Sequence, residues 1–379
     1  MARKLKSDKL LFTATLLLVC TSVVMVYSAS AVIAESMYQN SYLFLFKQLT
    51  FALLGLFLVQ LIMRVDYRKY REPAVIWTFL GIVTVALVAV LFGGARNGAT
   101  RWLNLGGLGI QPSELAKICM IVFIAALLER RMDRIDEPAY ALLPIGAVLA
   151  VIIGLILAEP DLGTAVSVVM IAAVMIFAAG INYKYVAGLA LTALPTLCVL
   201  IYTSEYRWKR VTAFLDPWKD PLDGGFQVIQ SMIAVATGGV FGRGLMGGVQ
   251  KLFYLPEPHN DFIFAVISEE LGMIGAMVVI ASFCVITWRG LRTALRAPDR
   301  FGAFLALGLT TMVAFQAFFN ISVVLGMLPT KGIPLPFVSY GGSSLLINLV
   351  GMGILLNVSQ HASGSHHVVT TALPTTADA

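Results

Sequence analysis

The chain has 379 residues, 58% of them hydrophobic and only 13% charged, with a mean hydropathy of +0.84 and a formal net charge of +6. Soluble domains carry about 25% charged residues, so this chain has too few to coat a water-facing surface, and a soluble globular protein is excluded. The positive balance calls for no nucleic acid, because most of it falls on short loops beside apolar runs, where anionic lipid is the natural partner.

Apolar stretches of roughly 20 residues, enough to cross a ~30 Å hydrocarbon core, recur along nearly the whole length. The fold class is all-α, a polytopic membrane protein. We read ten transmembrane helices, at 10–32, 43–63, 74–92, 113–128, 142–158, 162–180, 185–202, 262–287, 303–327 and 343–358. One integral membrane domain is expected over 1–361, followed by a disordered polar tail over 362–379. The first run follows Arg3, Lys4, Lys6 and Lys9. It is long for a signal peptide and nine more spans follow, so it reads as an uncleaved helix. Cys20, Cys119, Cys198 and Cys284 each sit inside an apolar run without metal-like spacing and read as small buried hydrophobes.

Lysine and arginine counts give the orientation. With the N-terminus inside, the inner segments hold 16 and the outer segments 9, six of these in one long loop where the charge rule has little force. Both termini are therefore expected in the cytoplasm. The long loop between helices 7 and 8, about 203–260, opens with YRWKR and DPWKDPLDGG. It continues with FQVIQSMIAVATGGVFGRGLMGG, which is too short and too glycine-rich to span and reads as interfacial or re-entrant.

This topology gathers the unusual polar residues on one side. Arg101, then Gln111, Glu114 and Lys117 of QPSELAK, lie at the outer end of span four, with Pro112 suited to the first helical position. Glu159 and Asp161 form the outer turn AEPDLG, and Lys331 with PLPFVSYGGSS joins spans nine and ten. Asp261 opens span eight in LPEPHNDFIFAVISEELG, preceded by His259 and followed by Glu269 and Glu270. Plainer roles stand beside each. Glu114 and Lys117 are three apart and suit a helical pair. Glu159 and Asp161 suit a cap, GGSS a tight turn, and Asp261 an N-cap. Glu269 and Glu270, some 12 Å further along the axis at ~1.5 Å per residue, are too deep for capping and must pair, face water or be protonated.

Together NGATRWLNLGGLGIQPSELAK, AEPDLGTA, LPEPHNDFIFAVISEELG and LPTKGIPLPFVSYGGSS resemble the SEDS family of bacterial cell-wall proteins, which includes FtsW, RodA and SpoVE. The resemblance runs from about Leu10 to Gln360. QKLFYLPEPHNDFIF and Thr330-Lys331-Gly332 look more like FtsW, the division-site subfamily. His-Asn-Asp departs from the family's commoner His-Thr-Asp.

The resemblance implies a peptidoglycan glycosyltransferase of the bacterial cytoplasmic (inner) membrane that polymerises lipid II on its outer face. The family's essential acid maps to Asp261, the expected catalytic base. The substrate-binding set that follows is Arg101, Gln111, Glu114, Lys117, Glu159 and Asp161, then Arg210, Arg243, His259, Glu269, Lys331, Ser339 and Ser343. Asp261, Glu159 and Asp161 beside a pyrophosphate suggest a divalent cation, Mg²⁺ or Mn²⁺, though spacing spells out no ligand set. The implied partners are a class B penicillin-binding protein and other division or elongation proteins. Intramembrane Glu and Lys also suit a lipid II flippase, and a non-catalytic division scaffold is a third reading. The one-sided clustering of polar groups disfavours transport.

Overall fold

The computed structural model describes residues 7–92, 101–105, 108–134 and 137–362. The expected tail lies outside them, except for Ala362, which ends the last helix. The helices are α1 (Lys9–Tyr38), α2 (Leu43–Ile62), α3 (Pro73–Leu91), α4 (Pro112–Arg131), α5 (Pro138–Ala141), α6 (Leu143–Ala158) and α7 (Leu162–Ala178). They continue with α8 (Tyr183–Tyr202), α9 (Glu205–Leu215), α10 (Phe226–Gly238), α11 (Ile263–Leu295), α12 (Arg300–Val324) and α13 (Gly342–Ala362). Each of the ten expected spans coincides with one of them; α5, α9 and α10 are additional and shorter. A two-stranded hairpin, β1 (Leu103–Leu105) with β2 (Leu108–Ile110), precedes α4, in the register Leu103 to Ile110.

Among the described residues, six helices (α1, α2, α3, α11, α12 and α13) are long and apolar enough to cross a membrane. The protein is a multi-pass membrane protein. Helix α3 and, past its first two turns, helix α2 are almost wholly apolar and leave Val85 and Phe57 largely exposed, as expected of surfaces meeting lipid. The centre is formed by α4, α12 and α13; in the last two, 67% and 78% of the apolar window is buried. Small residues let these helices close up, as where Gly308 of α12 meets Ile121 of α4. At the far end of the bundle from the site, the Asn357 amide of α13 donates to the carbonyls of Ile62, Met63 and Val65. This satisfies the end of α2.

Span eight differs from its sequence reading. Helix α11 runs 33 residues, about 50 Å at 1.5 Å per residue, and is broken at Gly272, where φ is 66° and ψ −164°. Only glycine adopts that backbone without strain. The groups freed by the break are paired with the long loop. Met273 N and Ile274 N donate to the carbonyls of Gly239 and Val240, while Arg243 N and Gly244 N donate to those of Glu269 and Glu270.

The glutamates hold the same loop with their side chains. Glu269 accepts from Val249 N at 2.8 Å and pairs with Arg243 at 3.5 Å. Glu270 accepts from Met246 N at 3.0 Å, from Ser28 Oγ of α1 at 2.7 Å and from Lys251 Nζ at 2.6 Å. Counting about 20 residues back from Arg289 for a membrane crossing puts both near the boundary of the apolar zone, not deep within it. They are paired anchors of the loop, and Lys251 is the partner that sequence reading did not supply.

Candidate active site

A cavity of about 690 Å³ opens among the first turns of α2, α4, α7 and α13, the segment leading into α11, and the loop after α12. Of the residues singled out from sequence, Arg101, Gln111, Glu114, Lys117, Asp161 and Asp261 line it.

Asp261 does not cap a helix. Helix α11 begins at Ile263 behind Phe262, and no side chain caps it. Three consecutive carbonyls fix the backbone around the acid. Tyr340 N donates to His259 O at 2.9 Å, Ser339 Oγ to Asn260 O at 2.7 Å, and Asn320 Nδ2 of α12 to Asp261 O at 2.8 Å. The same Asn320 amide donates to Ile333 O at 2.9 Å, which ties the Lys331 loop to the acid. Among the described residues, no donor hydrogen-bonds the Asp261 carboxylate. Burial pushes its pKa up to about 6, helped by Glu257 and opposed by Arg210 and Arg101.

Arg101 and Arg210 act on this acid, and Lys331 lies on the adjoining loop. Arg101 donates through Nε to Glu159 O at 3.1 Å and through Nη2 to Pro160 O at 2.5 Å, at the end of α6. Arg210 of α9 donates to Thr330 O at 3.1 Å. Lys331 is half-buried, and desolvation pulls its pKa down to about 7, with Asp161 opposing and Arg207, Arg210 and Arg101 adding to the fall.

Asp161 caps α7 through Thr164 N at 3.2 Å and accepts from Thr164 Oγ1 at 2.7 Å and Gln111 Nε2 at 3.1 Å. Glu159 is fully buried with neither carboxylate oxygen hydrogen-bonded among the described residues. Burial, then the charge of Asp161, pushes its pKa up to about 8 against the pull of Arg101. Glu114 and Lys117 form a buried pair at 2.8 Å across one turn of α4. His259 is buried between the rings of Phe44 (4.9 Å) and Tyr340 (5.5 Å), and burial lowers its pKa.

The remaining expected residues fall elsewhere. Arg243 and Glu269 pair with each other behind the break in α11, where their charges are spent on the loop. Ser339 is occupied holding Asn260 and accepting from Leu335 N at 2.8 Å. Ser343 is buried in the first turn of α13.

Sequence reading missed Lys47, Glu257, Asn260 and Gln316, all in the cavity wall, as well as Asn320 beneath it. Lys47 alone in an apolar span, and Gln316 and Asn320 four apart in another, were the available signals. Among the described residues no group of three or more His, Cys, Asp or Glu is placed to hold a metal ion. Of the carboxylates in the wall, Asp161 caps α7, Glu114 pairs with Lys117, and the exposed Glu257 accepts from Asn260 Nδ2 at 2.6 Å through one oxygen; Asp261 and the other oxygen of Glu257 accept no hydrogen bond among the described residues.

Residues 8–364 match the family of cell cycle proteins that comprises FtsW, RodA and SpoVE. A relative from Geobacter sp. (strain M18), named "Probable peptidoglycan glycosyltransferase FtsW", is 45% identical over 94% of this chain and 98% of its own. Stage V sporulation protein E of Bacillus subtilis is 44% identical over 95% and 99%. Among solved structures, a chain of a peptidoglycan synthase complex that coordinates polymerization and crosslinking superposes with a TM-score of 0.78. It is 31% identical, with 95% of this chain and 99% of that one covered. The rod shape determining protein RodA of Thermus thermophilus superposes with a TM-score of 0.69 at 28% identity, over 94% and 97%. This chain belongs to the FtsW/RodA/SpoVE, or SEDS, family.

Proposed function

We propose that this protein is a peptidoglycan glycosyltransferase that polymerises lipid II on the outer face of the cytoplasmic membrane, in the manner of FtsW at cell division. The observation that carries the reading is Asp261, a carboxylate open to a large cavity, fixed through its backbone and held in the field of Arg101 and Arg210. The acceptor's sugar 4-hydroxyl attacks the anomeric carbon of the growing glycan. Asp261 takes the hydroxyl proton as the new C–O bond forms. The bond from the anomeric carbon to phosphate breaks, and undecaprenyl diphosphate leaves with the electron pair, its charge met by the neighbouring cations.

A divalent cation, Mg²⁺ or Mn²⁺, would be held here by Asp261 and Glu257 together with substrate oxygens. It would supply charge neutralisation for the diphosphate. The ten-span reading with both termini in the cytoplasm puts the cavity on the outer side, where this substrate would be met. The likeness to a chain of a peptidoglycan synthase complex supports a class B penicillin-binding protein as partner. Its docking would hand the new strand to crosslinking.

The test is Asp261→Asn in purified protein given lipid II in detergent. Asparagine fills the same volume but accepts no proton, so polymerisation should fall by roughly 10²-fold or more. The folded pKa of about 6 exceeds the usual carboxylate value, so above pH 6 the ionised acid costs stability. The variant should therefore melt at or above the wild-type temperature. Wild-type turnover by this variant overturns Asp261 as the base.

A further inference from the structure

Glycosyl transfer between two lipid-linked units brings two diphosphates into one site. One departs from the anomeric carbon beside the base. The other stays on the acceptor, two sugar rings away from the hydroxyl that attacks. Arg101, Arg210 and Lys331 suit the departing group, and the structure carries a second set of anion-binding groups on another wall of the cavity.

Helix α13 starts there. Gly341 O accepts from Leu345 N at 2.9 Å, and Gly341, Gly342 and Ser344 line the cavity. Among the described residues, the N–H groups of Gly342, Ser343 and Ser344 donate to no protein acceptor, as the first turn of a helix leaves them. Ser343 is 4% exposed, and its hydroxyl has no partner. Gln316 of α12, 1% exposed and facing the same cavity, has neither amide oxygen nor nitrogen hydrogen-bonded.

Lys47 adds the charge. The Phe51 ring packs so closely on Gly342 that no Cβ fits there, and Lys47 lies one turn back on the same face of α2. Helices α2 and α13 run parallel, since Gly55 meets Leu349 and Gly353 meets Val59 further along. That direction puts Lys47 beyond the positive end of α13. It lines the cavity and makes no ion pair among the described residues. An ammonium and a helix N-terminus, both positive, thus share one wall with buried polar groups still open.

We propose that Lys47, the first-turn N–H groups of α13, the Ser344 hydroxyl and the Gln316 amide form a second diphosphate subsite, which holds the incoming lipid-linked acceptor. This rests on the glycosyltransferase reading. No bond to this diphosphate forms or breaks; the subsite anchors it so that the distal sugar reaches Asp261. Leu43, Phe44 and Phe51 line the cavity beside it and suit the first units of a polyprenyl tail.

The test compares wild type, Lys47→Gln and Lys47→Arg for lipid II polymerisation. It also measures binding of fluorescent lipid II to the same Lys47 variants carrying Asp261→Asn, which prevents turnover. Lys47→Gln should raise KM and weaken binding by roughly tenfold, the loss of one charge-assisted contact, with kcat little changed. Lys47→Arg should restore both. Unchanged KM and binding in Lys47→Gln would overturn the proposal. A fall in kcat at constant KM would also do so, because it would place Lys47 at the leaving group. Failure of the wild type to polymerise lipid II would instead refute the glycosyltransferase reading, and the binding comparison would still decide the subsite.

Discussion

Gly332 lies directly against the Asp261 carboxylate: a Cβ placed on it would stand 3.0 Å from Oδ2. The Lys331 loop therefore sets the position of the acid by contact. Gly332→Ala should leave insertion and yield intact, since Gly332 is itself exposed in the cavity. The added methyl pushes the carboxylate aside by a few tenths of an ångström, and since a misplacement of about 1 Å costs on the order of 10²-fold in rate, kcat should fall by a smaller, several-fold factor. Lipid II polymerisation at saturating substrate is the measurement. A Gly332→Ala enzyme with wild-type kcat would show that the acid tolerates displacement and is not working as a positioned base.

Asn320 joins the two segments from beneath, donating to Asp261 O and Ile333 O. Asn320→Ala removes both donors and strands two carbonyls, a cost of about 1–3 kcal/mol for each buried group left unpaired. Melting in detergent should drop accordingly, and kcat should fall with it because the acid and the loop are no longer held in register. Asn320→Asp supplies acceptors where donors are needed and should be worse than Ala. Equal stability of Asn320→Ala and wild type would mean these hydrogen bonds are replaced without loss.

Much of the bundle was legible because a membrane span is written as a long apolar run. The end of the bundle at which the polar residues gather was legible because charge in such runs is scarce. Glu114 and Lys117 were readable as a pair because helical spacing alone brings residues three apart together. The pairing of Glu270 with Lys251 was not, since it depends on how a loop of irregular backbone folds back. The break at Gly272 was hidden for a related reason. ELGMIGAM keeps its apolar pattern through the break, and the hydrogen bonds that make a broken helix tolerable come from Gly239 to Gly244, about 30 residues earlier. Asn320 was passed over because a lone amide in an apolar helix is silent until its two carbonyl partners are in place.

The buried pair on α4 predicts an asymmetry. With 3% and 4% of the side chains exposed, removing one partner leaves an uncompensated charge, a cost of roughly 3–5 kcal/mol, whereas replacing both with neutral groups of like volume costs far less. Glu114→Gln and Lys117→Met should each lower the melting temperature more than the double variant does. If the double variant melts no higher than the worse single, the pair is not what holds this wall. Activity of a well-folded double variant then reports separately on whether the pair touches substrate.

The last prediction concerns pH and follows from opposite shifts at two neighbouring groups. Asp261 must be ionised to accept a proton, and burial has raised its pKa to about 6, so kcat/KM should climb as pH rises through that value. Lys331 must be protonated to meet a diphosphate, and desolvation has lowered its pKa to about 7, so kcat/KM should decline as pH rises past it. Because kcat/KM reports the free enzyme, the profile should be a narrow bell between those two limbs, without a broad plateau. Bound diphosphate would favour the charged lysine, so the alkaline limb of kcat should lie higher than that of kcat/KM. Lys331→Arg separates the assignments. A guanidinium stays charged well beyond this range, so the alkaline limb should disappear while the acid limb stays near 6. An alkaline limb that persists at the same midpoint in Lys331→Arg would remove Lys331 from the leaving-group role. An acid limb that moves with that substitution would show that the two groups titrate as a coupled pair.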